Sequence, residues 1–217
     1  MLLKPLLRKS VRPALVTAGL VSLLGGAGGC AWHVIPPAEV REPVPVYLTD
    51  YGRHTRLALP GDRDVMHEYG FGEWHYYALE ERGFLSTLRA VSGLGDAALA
   101  FRNLPGDEES FRLAAGGRRT ARFEAEKDRV AELKESLEDK RRRGMPRQTY
   151  REWESLYFVP IDDSYNLFKN SNTKTARWLR RLDFDVRGHP FLSNFREADD
   201  SRTPPDPRTR GHGPRRR

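Results

Sequence analysis

An α+β fold is predicted for this sequence: an antiparallel sheet with helices on one side. Three observations carry the prediction. Apolar and polar residues alternate from Val44 onwards, the period of a strand. Apolar residues recur three and four apart between residues 84 and 101, and again within 130–137 and 176–182, the period of a helix. Turn-forming clusters such as Asp50-Tyr51-Gly52 and Pro60-Gly61-Asp62 divide the segments.

Taken in order, Val44, Val46 and Leu48 alternate with Pro45, Tyr47 and Thr49, which predicts a first strand. Thr55, Leu57 and Leu59 predict a second. Residues 65–69 and 74–79 read as two more strands around the turn Gly70-Phe71-Gly72-Glu73. Phe84, Leu85, Leu88 and Val91, then Leu94, Ala97, Ala98 and Phe101, predict two short helices broken near Gly93 and Gly95. Residues 110–115 read as a strand. Residues 124–143 form a charged helix with a narrow stripe of Val130, Leu133 and Leu137, supported by acid–base pairs four apart such as Glu138 and Arg142. A strand follows over 156–159. A helix over 172–182 carries Ala176, Leu179 and Leu182 on one face, with Thr175 beside them.

The beginning of the chain carries an address. Lys4, Arg8, Lys9 and Arg12 precede an apolar run and the small pair Gly28-Gly29, and Cys30 follows directly. A charged head, an apolar run and small residues before a cut make a secretory signal. With Cys at the cut, the segment resembles the lipobox of bacterial lipoproteins, with Ala27 where a larger aliphatic residue is usual. The organisation expected is a signal peptide over 1–29, a lipidated Cys30 with a proline-rich linker over 30–45, one α+β domain over 46–198, and a disordered Arg/Pro-rich tail over 199–217. A cut before Cys30 removes 29 of 217 residues and leaves 188, enough for one domain with a proper core. Lipid would attach this domain to a membrane without spanning it. Trp32, rather than Asp, follows Ala31, so the simplest inner-membrane retention signal is absent and the outer membrane is favoured, with the domain facing the periplasm.

Charge excludes one partner class. The net charge is +7. The four bases before Cys30 carry +4, and six Arg against three Asp give the tail +3, so residues 30–198 sum to zero. No basic surface for nucleic acid is implied. Cys30 is the only cysteine, so the domain has no internal disulfide and no cysteine-built zinc site. No cofactor is called for, and no metal site is assigned. His67 and His75, with Glu68 and Glu73, have metal-binding chemistry, but on two strands of a hairpin they read as surface polar positions.

Two segments carry a resemblance. VYLTDYGRHTRLAL with EYGFGEWHYYAL, and SYNLFKNSNTKTARWLRRLDFDVRG, resemble a family of bacterial conserved hypothetical proteins, a domain of unknown function associated with urease gene regions. That family resembles a circularly permuted papain-like fold of the NlpC type. There a His on an early strand meets a Cys at a later helix N-terminus. The helix dipole and free N–H groups at that end lower a thiol pKa and stabilise an oxyanion.

Carried over residue by residue, the resemblance places His54 at the His position. Glu68, Glu73 and His75 lie near the segment that would supply an orienting group, Glu68 being the one named for the catalytic set. Asn170-Ser171-Asn172-Thr173 takes the place of an Asn-Cys-Asn-Thr motif. The nucleophile position therefore holds Ser171, and Lys174 stands where an aromatic is common. Asn170, Asn172 and Trp74 are the candidate substrate-binding residues. A serine hydroxyl is far less acidic than a thiol and needs a base poised to take its proton. A Cys-to-Ser exchange in a Cys–His site therefore points to lost chemistry, and capping is an alternative role for Ser171. The expectation is a lipid-anchored envelope protein with a non-catalytic papain-like domain and a residual binding cleft. The rival is a Ser171–His54 hydrolase or acyltransferase acting on amide or ester bonds in the envelope. Peptidoglycan or a glycolipid is the expected partner class beside the membrane.

Overall fold

The computed structural model describes residues 31–79, 95–166 and 168–198. Strand β1 (Trp32–Ile35) opens this part of the chain. It corrects the linker expected over 30–45. Trp32, Val34 and Ile35 are buried, so the segment is held by the core, and Pro36-Pro37 ends the strand.

Strands β2 (Pro43–Asp50) and β3 (Thr55–Pro60) form the predicted hairpin, in the register Tyr47 opposite Ala58 and Asp50 opposite Thr55. Pro43 and Pro45 lie before Tyr47, outside the stretch that β3 pairs, where a missing N–H is tolerated. In the turn, Asp50 Oδ1 accepts from Gly52 N–H at 2.6 Å and Gly52 takes φ +89°.

Strand β4 (Val65–Glu73) runs through the expected turn at 70–73. A single π-helical turn, Trp74–Ala78, then replaces the expected strand. Glu73 Oε2 caps it by accepting from Tyr76 N–H at 2.5 Å. Strand β5 (Gly95–Pro105) replaces the helix expected around 94–101. It lies between two other strands, and Ala97, Ala98, Leu99 and Ala100 are all buried. A strand covered on both faces loses its period of two, and its apolar run then mimics a helix. The helix expected at 84–91 lies outside the described residues.

Helix α1 (Glu108–Ala115) stands where residues 110–115 read as a strand. Asp107 caps it by accepting from Ser110 N–H at 2.9 Å, and Gly116 closes it in the left-handed conformation. Strand β6 (Arg119–Glu126) takes the first residues assigned to the charged helix, which begins later as α2 (Lys127–Gly144). Its stripe Val130, Leu133 and Leu137 is buried as predicted. Each such side chain contributes roughly 1.5–3 kcal/mol. Strands β7 (Thr149–Arg151) and β8 (Leu156–Tyr165), helix α3 (Ser171–Arg181), and strands β9 (Asp185–Arg187) and β10 (Phe195–Glu197) complete the fold.

The α+β class is as predicted. Seven strands form one antiparallel sheet in the order β6-β2-β3-β4-β5-β8-β7, and β10-β1-β9 form a small second sheet. Thr55, Leu57 and Leu59 point to the face that carries α2 and α3. There Leu57 and Leu59 join Leu133, Leu137, Ala176 and Leu179 in the main core, and Thr55 lies against Thr175 of α3. Ala58 points the other way, to a smaller cluster with Tyr47, Met66 and Phe111 of α1. Among the described residues the two longer helices thus share one face, and the eight-residue α1 covers part of the other.

Candidate functional site

The site forms where the β2–β3 turn meets the start of α3. Asn170 is the helix cap: its Oδ1 accepts from Thr173 N–H at 3.0 Å, and Thr173 Oγ1 accepts from Asn170 N–H at 2.9 Å. This reciprocal capping box satisfies two orphan donors of the first turn. Capping therefore belongs to Asn170 and Thr173, which leaves the Ser171 hydroxyl for other use.

Asn172 fixes the helix to the sheet. Its Oδ1 accepts from Thr55 N–H at 2.8 Å and from Thr55 Oγ1–H at 3.2 Å. Its Nδ2 donates to Arg53 O at 3.2 Å and Phe191 O at 3.1 Å. Thr175 Oγ1 donates to Thr55 O at 3.1 Å. Asn172 and Thr175 are buried, so the loss of any of these bonds would strand a buried polar group. Asn170 and Asn172, expected to bind substrate, are committed to holding the fold.

That clamp brings the two principal candidates together. His54 Nδ1 lies 3.0 Å from Ser171 Oγ, across 117 residues of sequence. Either partner can donate, depending on the imidazole tautomer. Ser171 begins α3, where backbone N–H groups lack helical partners and the dipole is positive. Tyr77 sets its ring edge-on to His54, with centroids 4.9 Å apart. Gly72 permits this approach: a Cβ there would come within 3.2 Å of Tyr77 Cδ2. The same holds at Gly70, where a Cβ would come within 3.3 Å of Arg56 Cγ.

The third expected member is elsewhere. Glu68 is fully buried and accepts from Tyr51 Oη–H at 2.5 Å and from Arg102 Nε–H at 2.6 Å, with Arg56 Nη1 at 3.7 Å. Alternation on β4 sends Glu68 into this ion network rather than behind His54. Glu73 caps the π-helical turn, and its Oε1 has no hydrogen-bond partner among the described residues. His75 Nε2 stands 3.7 Å from Asp96. No carboxylate among the described residues hydrogen-bonds His54. Burial, with Arg56 and Arg53 next in effect, lowers its pKa from 6.5 to about 4. The imidazole is neutral at pH 7.

Trp74, expected in a binding groove, is packed into the core with Ala98, Ala100, Leu156 and Phe158. His67 lies near Glu138, which also accepts from Tyr69 Oη–H at 2.5 Å. Lys174 pairs with Asp163 at 2.7 Å and sets its ammonium 5.1 Å from the Phe71 ring centroid. Among the described residues no three His, Cys, Asp or Glu side chains group as a metal site.

The space that borders His54 is small. The cavity beside His54, bounded by Arg56, Gly72, Tyr77, Glu154 and Phe158, measures about 20 Å³. That is room for about one water, whereas ligand pockets run to several hundred Å³. Ser171 is only 2% exposed. Sequence reasoning missed the Arg56–Glu68–Tyr51–Arg102 network and Glu154, whose Oε2 accepts from Arg56 Nη2 at 2.5 Å. Charged residues at inward positions of β3, β4 and β5 were the available signal. Compared with known proteins, the chain matches no family model, no curated protein and no solved structure.

Proposed function

We propose that this chain is a lipid-anchored envelope protein whose papain-like site no longer turns over substrate. The observation that carries the reading is the setting of His54: partly buried, beside Arg56 and Arg53, and hydrogen-bonded to no carboxylate among the described residues. A general base works best with a pKa near the working pH and with a partner that stabilises its imidazolium. Here Arg56 and Arg53 oppose that imidazolium. The cavity beside His54, which Ser171 does not line, has room for about one water, and the His54–Ser171 contact joins the β2–β3 turn to α3.

The test uses the purified lipidated protein and a fluorophosphonate probe, with mass spectrometry of the Ser171 peptide. The expected outcome is no adduct. A Ser171→Cys variant treated with iodoacetamide restores the family's nucleophile and reports whether reagents can enter. An adduct on Ser171 in the natural sequence would overturn the reading. One observation favours the rival hydrolase or acyltransferase: the 3.0 Å contact between His54 and a Ser171 hydroxyl not needed for capping. The same probe experiment decides between them.

A further inference from the structure

We infer that the loop over 188–192, flanked by Arg53 and Arg118, seats against an anionic phospholipid surface. This rests on the anchored reading and adds the face by which the domain meets the membrane. The first argument is chain length. Cys30 is two residues before Trp32, which is fully buried in β1. Two residues of extended chain span at most about 7 Å. A diacylglyceryl group on Cys30 therefore cannot let the domain drift from the bilayer. The surface next to Ala31, where the chain enters β1, would then lie at the headgroups.

The second argument is what surrounds Trp32. Its Nε1–H donates to Leu192 O at 2.9 Å, and Gly188 packs against Trp32 and Ala31. The loop so held presents Phe191 and Leu192, 37% and 40% exposed. Asn172 Nδ2 ties Phe191 O to Arg53 O, so the β2–β3 turn is adjacent. Arg53 is exposed there, and so is Arg118, which lies against Gly52. Neither is in a salt bridge among the described residues. An aromatic and an aliphatic tip beside two arginines suits the boundary between acyl chains and anionic headgroups.

The test uses the full mature chain, lipidated at Cys30, in nanodiscs of phosphatidylethanolamine and phosphatidylglycerol. Intact mass first establishes the lipid on Cys30. With that thiol occupied, a cysteine introduced as Leu192→Cys is the only free thiol and takes an environment-sensitive fluorophore. Phe191→Cys serves as a second labelling site should the first variant misfold. Asp62→Cys is the control: it lies in the β3–β4 turn, at the far end of β3 from His54, with a side chain 96% exposed. Shallow spin-labelled lipid should quench position 192 or 191 at least about threefold more than position 62, because an interfacial group lies roughly 5–10 Å into the headgroup boundary. The double variant Arg53→Gln/Arg118→Gln should lessen quenching in anionic discs and leave it unchanged in neutral ones. Lipid on Cys30 with equal quenching at 192, 191 and 62 would overturn the docking face while leaving the anchor intact. Absence of lipid on Cys30 would overturn both.

Discussion

Acidification should unfold this domain through His54 before its carboxylates respond. The perturbation is a fall in pH from 7 to 4, with His54→Gln as comparator. In the folded chain His54 binds its proton only below about pH 4, because burial, with Arg56 and Arg53 next, disfavours the imidazolium. In the unfolded chain it binds near the ordinary value of 6.5. Between those values the unfolded state holds more protons, so stability falls as pH falls and returns as pH rises. At 1.36 kcal/mol per pH unit the window from 6.5 to about 4 is worth about 3 kcal/mol. That is a large share of a typical 5–15 kcal/mol stability. The carboxylates act lower. Glu138 and Asp163 are both held at about 2 despite burial, Glu138 by nearby His67 and by hydrogen bonds from Tyr69 and Arg141, Asp163 by hydrogen bonds from Lys169 and Lys174. Their stabilisation is present above about 4.5 and is lost as pH falls towards 2, in natural chain and variant alike. Urea unfolding at half-unit pH steps measures the difference. The natural chain should lose about 3 kcal/mol more than His54→Gln between pH 7 and 4. A flat difference across that window would mean that His54 is not held neutral, and the electrostatic case against catalysis would fail with it.

Other substitutions test the supports. Asn172→Ala removes four hydrogen bonds from a buried position and should cost about 2–4 kcal/mol. At roughly 2–4 °C per kcal/mol for a domain this size, thermal melting would register it clearly; a change under about 2 °C would refute the clamp. Glu68→Ala leaves Arg102 and Arg56 facing each other without their shared carboxylate and should cost about 3–5 kcal/mol in urea unfolding. A neutral result would mean the arginines reach water. Gly72→Ala places a methyl within 3.2 Å of Tyr77 Cδ2. A loss of about 1–3 kcal/mol in thermal or urea unfolding is expected as Tyr77 shifts from His54, and full stability would show that the ring moves freely.

Where one face of an element met water, its pattern was legible. The β2–β3 hairpin, α2 with its stripe Val130, Leu133 and Leu137, and α3 with Ala176 and Leu179 were readable from periodicity. Strand β5 was not, because burial on both faces erased alternation and left Ala97 and Ala98 at a spacing that also suits a helix. Helix α1 is eight residues long, too short for its period to outweigh local composition, although Asp107 and Gly116 are its cap signals. Strand β1 was hidden by the prolines that follow it. At the site, the motif around Ser171 and the position of His54 led to a real contact. The role of Glu68 was not readable, because which face of β4 it takes depends on register and not on residue type.

The contact between Ser171 and His54 is close, and closeness alone does not make an active pair. A nucleophile must meet a carbonyl carbon, and Ser171 is almost fully covered. The neighbouring loop is tied at two points: its Phe191 O accepts from Asn172 and its Leu192 O accepts from Trp32. Freeing the loop would break a bond at each end, one to α3 and one to β1. At a net 0.5–1.5 kcal/mol per hydrogen bond, roughly 1–3 kcal/mol holds the loop in place before any apolar contact is counted. Trp32 is also the residue through which an anchor on Cys30 would pull. The loop over 188–192 therefore joins β1 to the first turn of α3, the element that carries Ser171.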